Sequence, residues 1–267
     1  MANLKKHIQR KYLFEQKVTE EEIKIFNEKM RSYEGEEMRT IRKVDKSKSV
    51  LIQYNDNKFV LGFPYSYQGF SRFIPEPDPV LLYFDHAYYI LKLLEPKKKE
   101  LLKGLLNTYL EDMGKELYEY FGHASAFIIM LFTALETFTN RCIPMEFIYI
   151  KDVNGKRTES YSKSQVERHI SFDEKVKEVF KQVYKSNPKD FAKAYPLINQ
   201  RIINLKKLRD DIVHTKVSNE GHSVYDYLYK RLIDFKFVES LNAVKDFCNY
   251  YHSNPNYIEE CSCDINE

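Results

Sequence analysis

The chain has 267 residues, with 42 Lys plus Arg against 39 Asp plus Glu, a net charge of +3 and 43% hydrophobic residues. That length and composition describe a globular protein able to bury a substantial core and exclude a disordered or fibrous chain. The near-balanced charge excludes a nucleic-acid binder that works by overall basicity, so any basic surface must come from local clustering.

In chain order, the opening "MANLKKHIQRKYLFEQ" lacks the apolar run of a secretion signal, and a cytoplasmic protein is the expectation. Thr19 with Glu22 three residues on reads as a capping box before "IKIFNEKMRSY". "SVLIQYNDNKFVLGF" reads as a hairpin turning at Asn55, Asp56 and Asn57. Residues 63 to 79 hold four of the nine prolines, which predicts irregular chain and places the end of a small α+β N-terminal unit at residue 79. Within it, "FPYSYQGFSRF" interleaves aromatics with Arg72. Two readings are open: rings that stack unpaired bases, and a loop packed on the helical body.

From Pro79 onward helical patterning dominates. Val80 to Leu94 and Lys98 to Phe121 read as two amphipathic helices, and Gly122 punctuates before an apolar helix from His123 to Arg141, closed by Pro144. Its run "ASAFIIMLFTAL" is shorter than the roughly 20 residues that span a bilayer and precedes Glu136, so a buried core helix is expected and no membrane partner. "EFIYIKDVNGKRTESY" predicts a second hairpin with a tight Asn154-Gly155 turn. "SFDEKVKEVFKQVYK" reads as a helix, a long helix starts at Pro196, and a last one runs from Ser223 to Tyr251. Residues 80 to 253 form the helical domain, and 254 to 267 read as a flexible acidic tail. The fold class is mainly α: a helical bundle with two short β-hairpins and the small N-terminal unit.

Four cysteines at 142, 248, 261 and 263 make no disulfide framework, and the histidines show no metal-ligand spacing, so no metal site or cofactor is expected. The one arrangement with chemical content ends the long helix: "LRDDIVH", residues 208 to 214. Leu205, Ile212, Val213 and Ile202 lie three, four or seven residues from Arg209, which sets a guanidinium in an apolar stripe. That placement costs free energy unless a partner is near. Five residues on lies His214, about 140° further around an ideal helix, so the two share a pocket only if the helix ends before His214 or two copies combine. Basic residues gather around them: Arg201, Lys206, Lys207 and Lys216. They read equally as a footprint for RNA phosphates and as a solvated helix face.

Two stretches, the apolar helix "AFIIMLFTALETFTNRC" and the late helix ending in "LRDDIVH", together resemble the HEPN superfamily of helical domains found in prokaryotic toxins and phage-defence proteins. The resemblance rests on Arg209, the polar Asp210, a three-residue spacer and His214, covers residues 80 to 253 and does not extend to 1 to 79. It implies a HEPN-type bundle and a metal-independent endoribonuclease of a toxin or phage-defence system. It also implies a homodimer with RNA as substrate and an antitoxin or defence protein as partner. In that reading Arg209 and His214 are catalytic with Asp210 in support, Lys206, Lys207 and Lys216 contact RNA, and Glu136 and Asn140 support Arg209. The chemistry is coherent, because RNA supplies its own 2′-hydroxyl nucleophile, histidine moves a proton near neutral pH, and arginine's planar fork matches phosphate oxygens. Two other readings stay open. One is a catalytically silent module of the same type that binds a nucleotide, an RNA or a protein. The other is an unrelated scaffold in which Arg209 merely pairs with Glu136.

Overall fold

A computed structural model describes residues 15–16, 50–55, 58–107, 109–153, 155, 157–214 and 225–258. The Thr19–Glu22 capping box, Lys216, Cys261 and Cys263 lie outside the described residues. The chain divides into two compact units, Met1–Leu81 and Leu82–Glu267.

The first unit carries an antiparallel sheet. β1 (Glu15–Gln16), β2 (Val50–Asn55), β3 (Lys58–Tyr67) and β4 (Phe70–Pro75) are its strands, with β3 paired to each of the others. β2 and β3 turn between Asn55 and Lys58, at the predicted hairpin. The segment expected to be irregular is regular: β3 continues through Pro64 and pairs with β4 from Gly62↔Pro75 to Tyr67↔Phe70. The signal for this second hairpin was Gln68-Gly69. Both residues have positive φ, +50° and +80°, the backbone that a tight two-residue turn needs and that glycine adopts at no steric cost. Phe59 and Val60 are buried at the base of the sheet.

Helix α1 (Pro79–Asn107) starts where Asp78 Oδ1 accepts from the Val80 and Leu81 amides at 2.9 and 3.3 Å, with Pro79 in the first turn. It runs through Pro96, where two helices were expected. A 3₁₀ turn (Leu110–Met113) then leads into α2 (Gly114–Arg141). The break therefore falls before Gly114 rather than at Gly122. A side chain at Gly122 would meet nothing within 4 Å, so this glycine sits on the outer face and costs only about 1 kcal/mol of helix propensity. Core packing of α2 outweighs that.

α2 is the centre of the second unit. Tyr120, Ala124, Phe127, Ile128, Leu131, Phe132, Leu135 and Phe138 recur every three or four residues and are at most 1% exposed. Gly114–Arg141 is long and apolar enough to cross a bilayer by composition, and these side chains bury one face of it against the other helices. β5 (Ile148–Val153) and β6 (Arg157–Ser162) pair antiparallel with Val153↔Arg157. The connection thus has three residues, not the predicted two, with Gly155 at φ +66°. An unpredicted helix α3 (Lys163–His169) follows a Ser162–Gln165 capping box.

α4 spans 172–183, capped by Ser171 and wound as a π-helix over Lys175–Val179. α5 (Phe191–Ala194) precedes α6 (Pro196–Val213), whose C-cap is His214. The single last helix expected is two, α7 (Tyr225–Asp234) and α8 (Phe237–Tyr251). The final carbonyls of α7 are taken by side chains, Leu232 O by the Tyr120 hydroxyl and Ile233 O by Lys98 Nζ, which stabilises an end there. Phe247 of α8 meets the rings of Phe138, Phe172, Phe191 and Tyr251. Residues 254 to 258, expected to be flexible, are docked: Tyr257 and Ile258 are buried, and Arg141 Nη1 donates to the Tyr257 hydroxyl at 2.7 Å. Residues 259–267 lie outside the described residues. The protein is mainly helical with two small antiparallel sheets.

Candidate functional site

Ile202, Leu205 and Leu208 fix the buried face of α6 against α2. Arg209 emerges beside that face with its side chain 24% exposed, and three groups hold its guanidinium. The carbon centre lies 4.2 Å over the Phe132 ring, Nη1 donates to Asp210 Oδ1 at 2.9 Å, and Nη2 lies 3.4 Å from Glu136 Oε2. The predicted Arg209–Glu136 pair is present, but Glu136 is 39% exposed, so the pair is half-solvated rather than buried. Asp210 also accepts from Lys206 at 3.0 Å, and Lys206 reaches Asp173 of α4 at 3.4 Å. Burial works against the Lys206 charge, but the bond to Asp210 and the nearby Asp173 outweigh it and raise its pKa.

Asn140, one turn along α2 from Glu136, bonds not to the Arg209 group but to a residue that sequence reasoning missed. Its Oδ1 accepts from Lys175 Nζ at 2.8 Å, and Lys175 also donates to the Glu167 carbonyl at 3.1 Å. Lys175 is 1% exposed. Burial pushes its pKa below the ordinary lysine value, opposed by the carboxylates of Glu136 and Glu167. Phe172, one turn earlier, stacks edge-on against Phe132, under Arg209. α2, α4 and α6 therefore bring Glu136, Asn140, Lys175, Lys206, Arg209 and Asp210 into one polar layer. Nothing in "DEKVK" distinguishes Lys175 from its exposed neighbour Lys177; the π turn and the packing of α4 decide which lysine goes in.

His214 takes no part in that layer. As the C-cap of α6 it has left helical geometry (φ −112°, ψ 46°), its backbone amide donates to Asp210 O at 2.9 Å, and its side chain is exposed. The helix thus ends before His214, one of the two ways the spacing allowed.

Beyond Asp210, an open cleft of about 990 Å³ separates α6 from α7 and the start of α8. Arg201, Lys207, Lys230, Arg231 and Lys236 line it against Asp210, Asp211 and Asp234. Arg231 pairs with Asp211 and Lys230 with Asp226, while Arg201, Lys207 and Lys236 make no ion pair among the described residues. Lys207 is therefore placed to meet an anion. Lys206 is not part of this lining, and its charge is already engaged by the two aspartates. Among the described residues no group of three or more His, Cys, Asp or Glu is placed to hold a metal ion.

Comparison with models of protein families, with curated proteins and with solved structures found no match.

Proposed function

We propose that the protein is a HEPN-type endoribonuclease that works without a metal ion, acts as a homodimer in the cytoplasm and belongs to a toxin or phage-defence system, with an antitoxin or defence protein as partner. The observation that carries this reading is the end of α6. Arg209 is oriented by Phe132, Glu136 and Asp210, an exposed His214 terminates the same helix, and a cleft with Arg201, Lys207 and Lys236 opens beside Asp210. In this proposal the cleft cations hold the phosphodiester backbone, Arg209 stabilises charge on the phosphate, and His214 moves the proton of the attacking 2′-hydroxyl or the leaving oxygen. Asp210 keeps the guanidinium in place, and the second copy supplies the other half of the pocket.

Cleavage of RNA by the purified protein is expected to continue in excess EDTA and to leave 2′,3′-cyclic phosphate ends. Dependence on added magnesium or manganese contradicts the mechanism. In light scattering at micromolar concentration, the mass is expected to be twice that of the 32.0 kDa chain, and a strict monomer removes the two-copy pocket.

One observation favours a second reading, a silent module of the same type that binds a nucleotide, an RNA or a protein. The Arg209 guanidinium already has carboxylates on two nitrogens and a ring beneath it, a complete structural environment for an arginine. The variants discussed below separate the two.

A further inference from the structure

The hairpin of β3 and β4 presents one face with a composition unlike the rest of its sheet. Strand side chains alternate between faces, so Phe63, Tyr65 and Tyr67 share one, and their antiparallel partners put Ile74 and Arg72 on the same side. These rings are 39%, 51% and 61% exposed, whereas Phe59, further back on the same strand, is 3% exposed. Among the described residues, β1 and β2 pair with β3 no further than Gly62, and beyond it β4 pairs with β3. Successive rings stand about 6.6 Å apart along the strand. Arg72 lies directly across from Tyr65. On these two strands the face carries Arg72 and no Asp or Glu, so β3 and β4 themselves bring no carboxylate that would repel a phosphate backbone.

We propose that this face is a stacking platform for single-stranded RNA, separate from the Arg209–His214 site. Unpaired bases lie on Phe63, Tyr65 and Tyr67, and the Arg72 guanidinium meets phosphate or stacks on a base edge. Aromatic rings of this kind hold any base through its π-face, with the cation supplying the salt-dependent part of the affinity. Duplex RNA is not a ligand, because its bases are already stacked on each other.

The test is fluorescence anisotropy with the full chain and three probes of equal length: single-stranded oligo(U), an abasic oligomer with the same phosphates, and a blunt duplex. Oligo(U) is expected to bind at least tenfold more tightly than either of the others. Phe63→Ala, Tyr65→Ala and Tyr67→Ala are each expected to weaken it about five- to a hundredfold. Tyr65→Phe keeps binding, and Arg72→Gln weakens binding and flattens its salt dependence. Tyr67→Ala removes the most exposed of the three rings and keeps the test decisive if Phe63→Ala fails to fold. Equal binding of the abasic oligomer, or unchanged binding by the ring variants, overturns the proposal. So does ring-dependent binding to phosphatidylcholine–phosphatidylserine vesicles without oligo(U) binding, or a ring-dependent change of mass in RNA-free solution. A 2′-O-methyl oligo(U), which has no 2′-hydroxyl nucleophile, is expected to bind as oligo(U) does, which keeps this result independent of whether the chain cleaves RNA.

Discussion

His214→Ala is expected to lower RNA cleavage by about a hundred- to ten-thousand-fold, the range that a general acid or base contributes, without changing the melting temperature. The side chain is exposed at the end of α6, so its removal opens no cavity. Arg209→Ala is expected to be equally inactive but slightly less stable. Its ion pair with Glu136 is half-solvated and worth about 1 kcal/mol or less, and the Phe132 contact adds about as much. For a domain of this size that is a fall of a few degrees. A silent binding module gives another pattern: no cleavage by any form, a shifted melting temperature for Arg209→Ala, and nothing for His214→Ala. The measurement is cleavage of mixed-sequence RNA beside thermal melting for both variants and wild type. A well-folded His214→Ala protein that cuts RNA at the wild-type rate ends the ribonuclease proposal.

The largest structural effect is expected at Lys175. Lys175→Ala deletes a fully buried stem and leaves Asn140 Oδ1 and the Glu167 carbonyl without their donor, costing about 3–5 kcal/mol, or on the order of 10 °C in melting temperature. Lys175→Met keeps the stem and loses less. The pH dependence separates charge from packing. Burial holds the folded-state pKa of Lys175 below the ordinary lysine value of 10.5, so between that lowered value and 10.5 the unfolded chain binds more protons than the folded one. The contribution is therefore fully present above 10.5 and lost as pH falls through the lowered value. Wild type should gain stability relative to Lys175→Met as pH rises through this window and show a constant difference below it. A wild-type–Met difference that is flat across the alkaline range removes the claim that the charge is desolvated. An unchanged melting temperature for Lys175→Ala removes the claim that the side chain is buried.

What the sequence disclosed follows from which forces are local. The apolar period of α2 and Pro196 at the start of α6 are properties of short windows, and the structure has both helices. Helix ends were harder. Gly122 and Pro96 are residues that disfavour a helix, yet each sits inside one because packing outweighs a local penalty of one to a few kcal/mol. The gap between α7 and α8 depends on Lys98 and Tyr120, more than a hundred residues away, and could not be read from the segment that it interrupts. At the candidate site, the Arg209–Glu136 contact followed from two helical periods. Lys175, Asp173 and the cleft cations on α7 required knowing which helices meet. The Gln68-Gly69 turn carries a local signal, a glycine that adopts positive φ freely, but the four prolines between residues 63 and 79 predict irregular chain in the same window.

Lys175 also makes the fold its own reporter. Lys177 and Lys181 are exposed on the same helix, whereas the Lys175 amine is shielded. An acylating reagent reaches the first two directly and the third only in molecules where α4 has lifted from Asn140 and α3. The ratio of acylation rates within one short stretch of chain then measures how often that part of the core opens, with Lys177 and Lys181 as internal standards for the reagent.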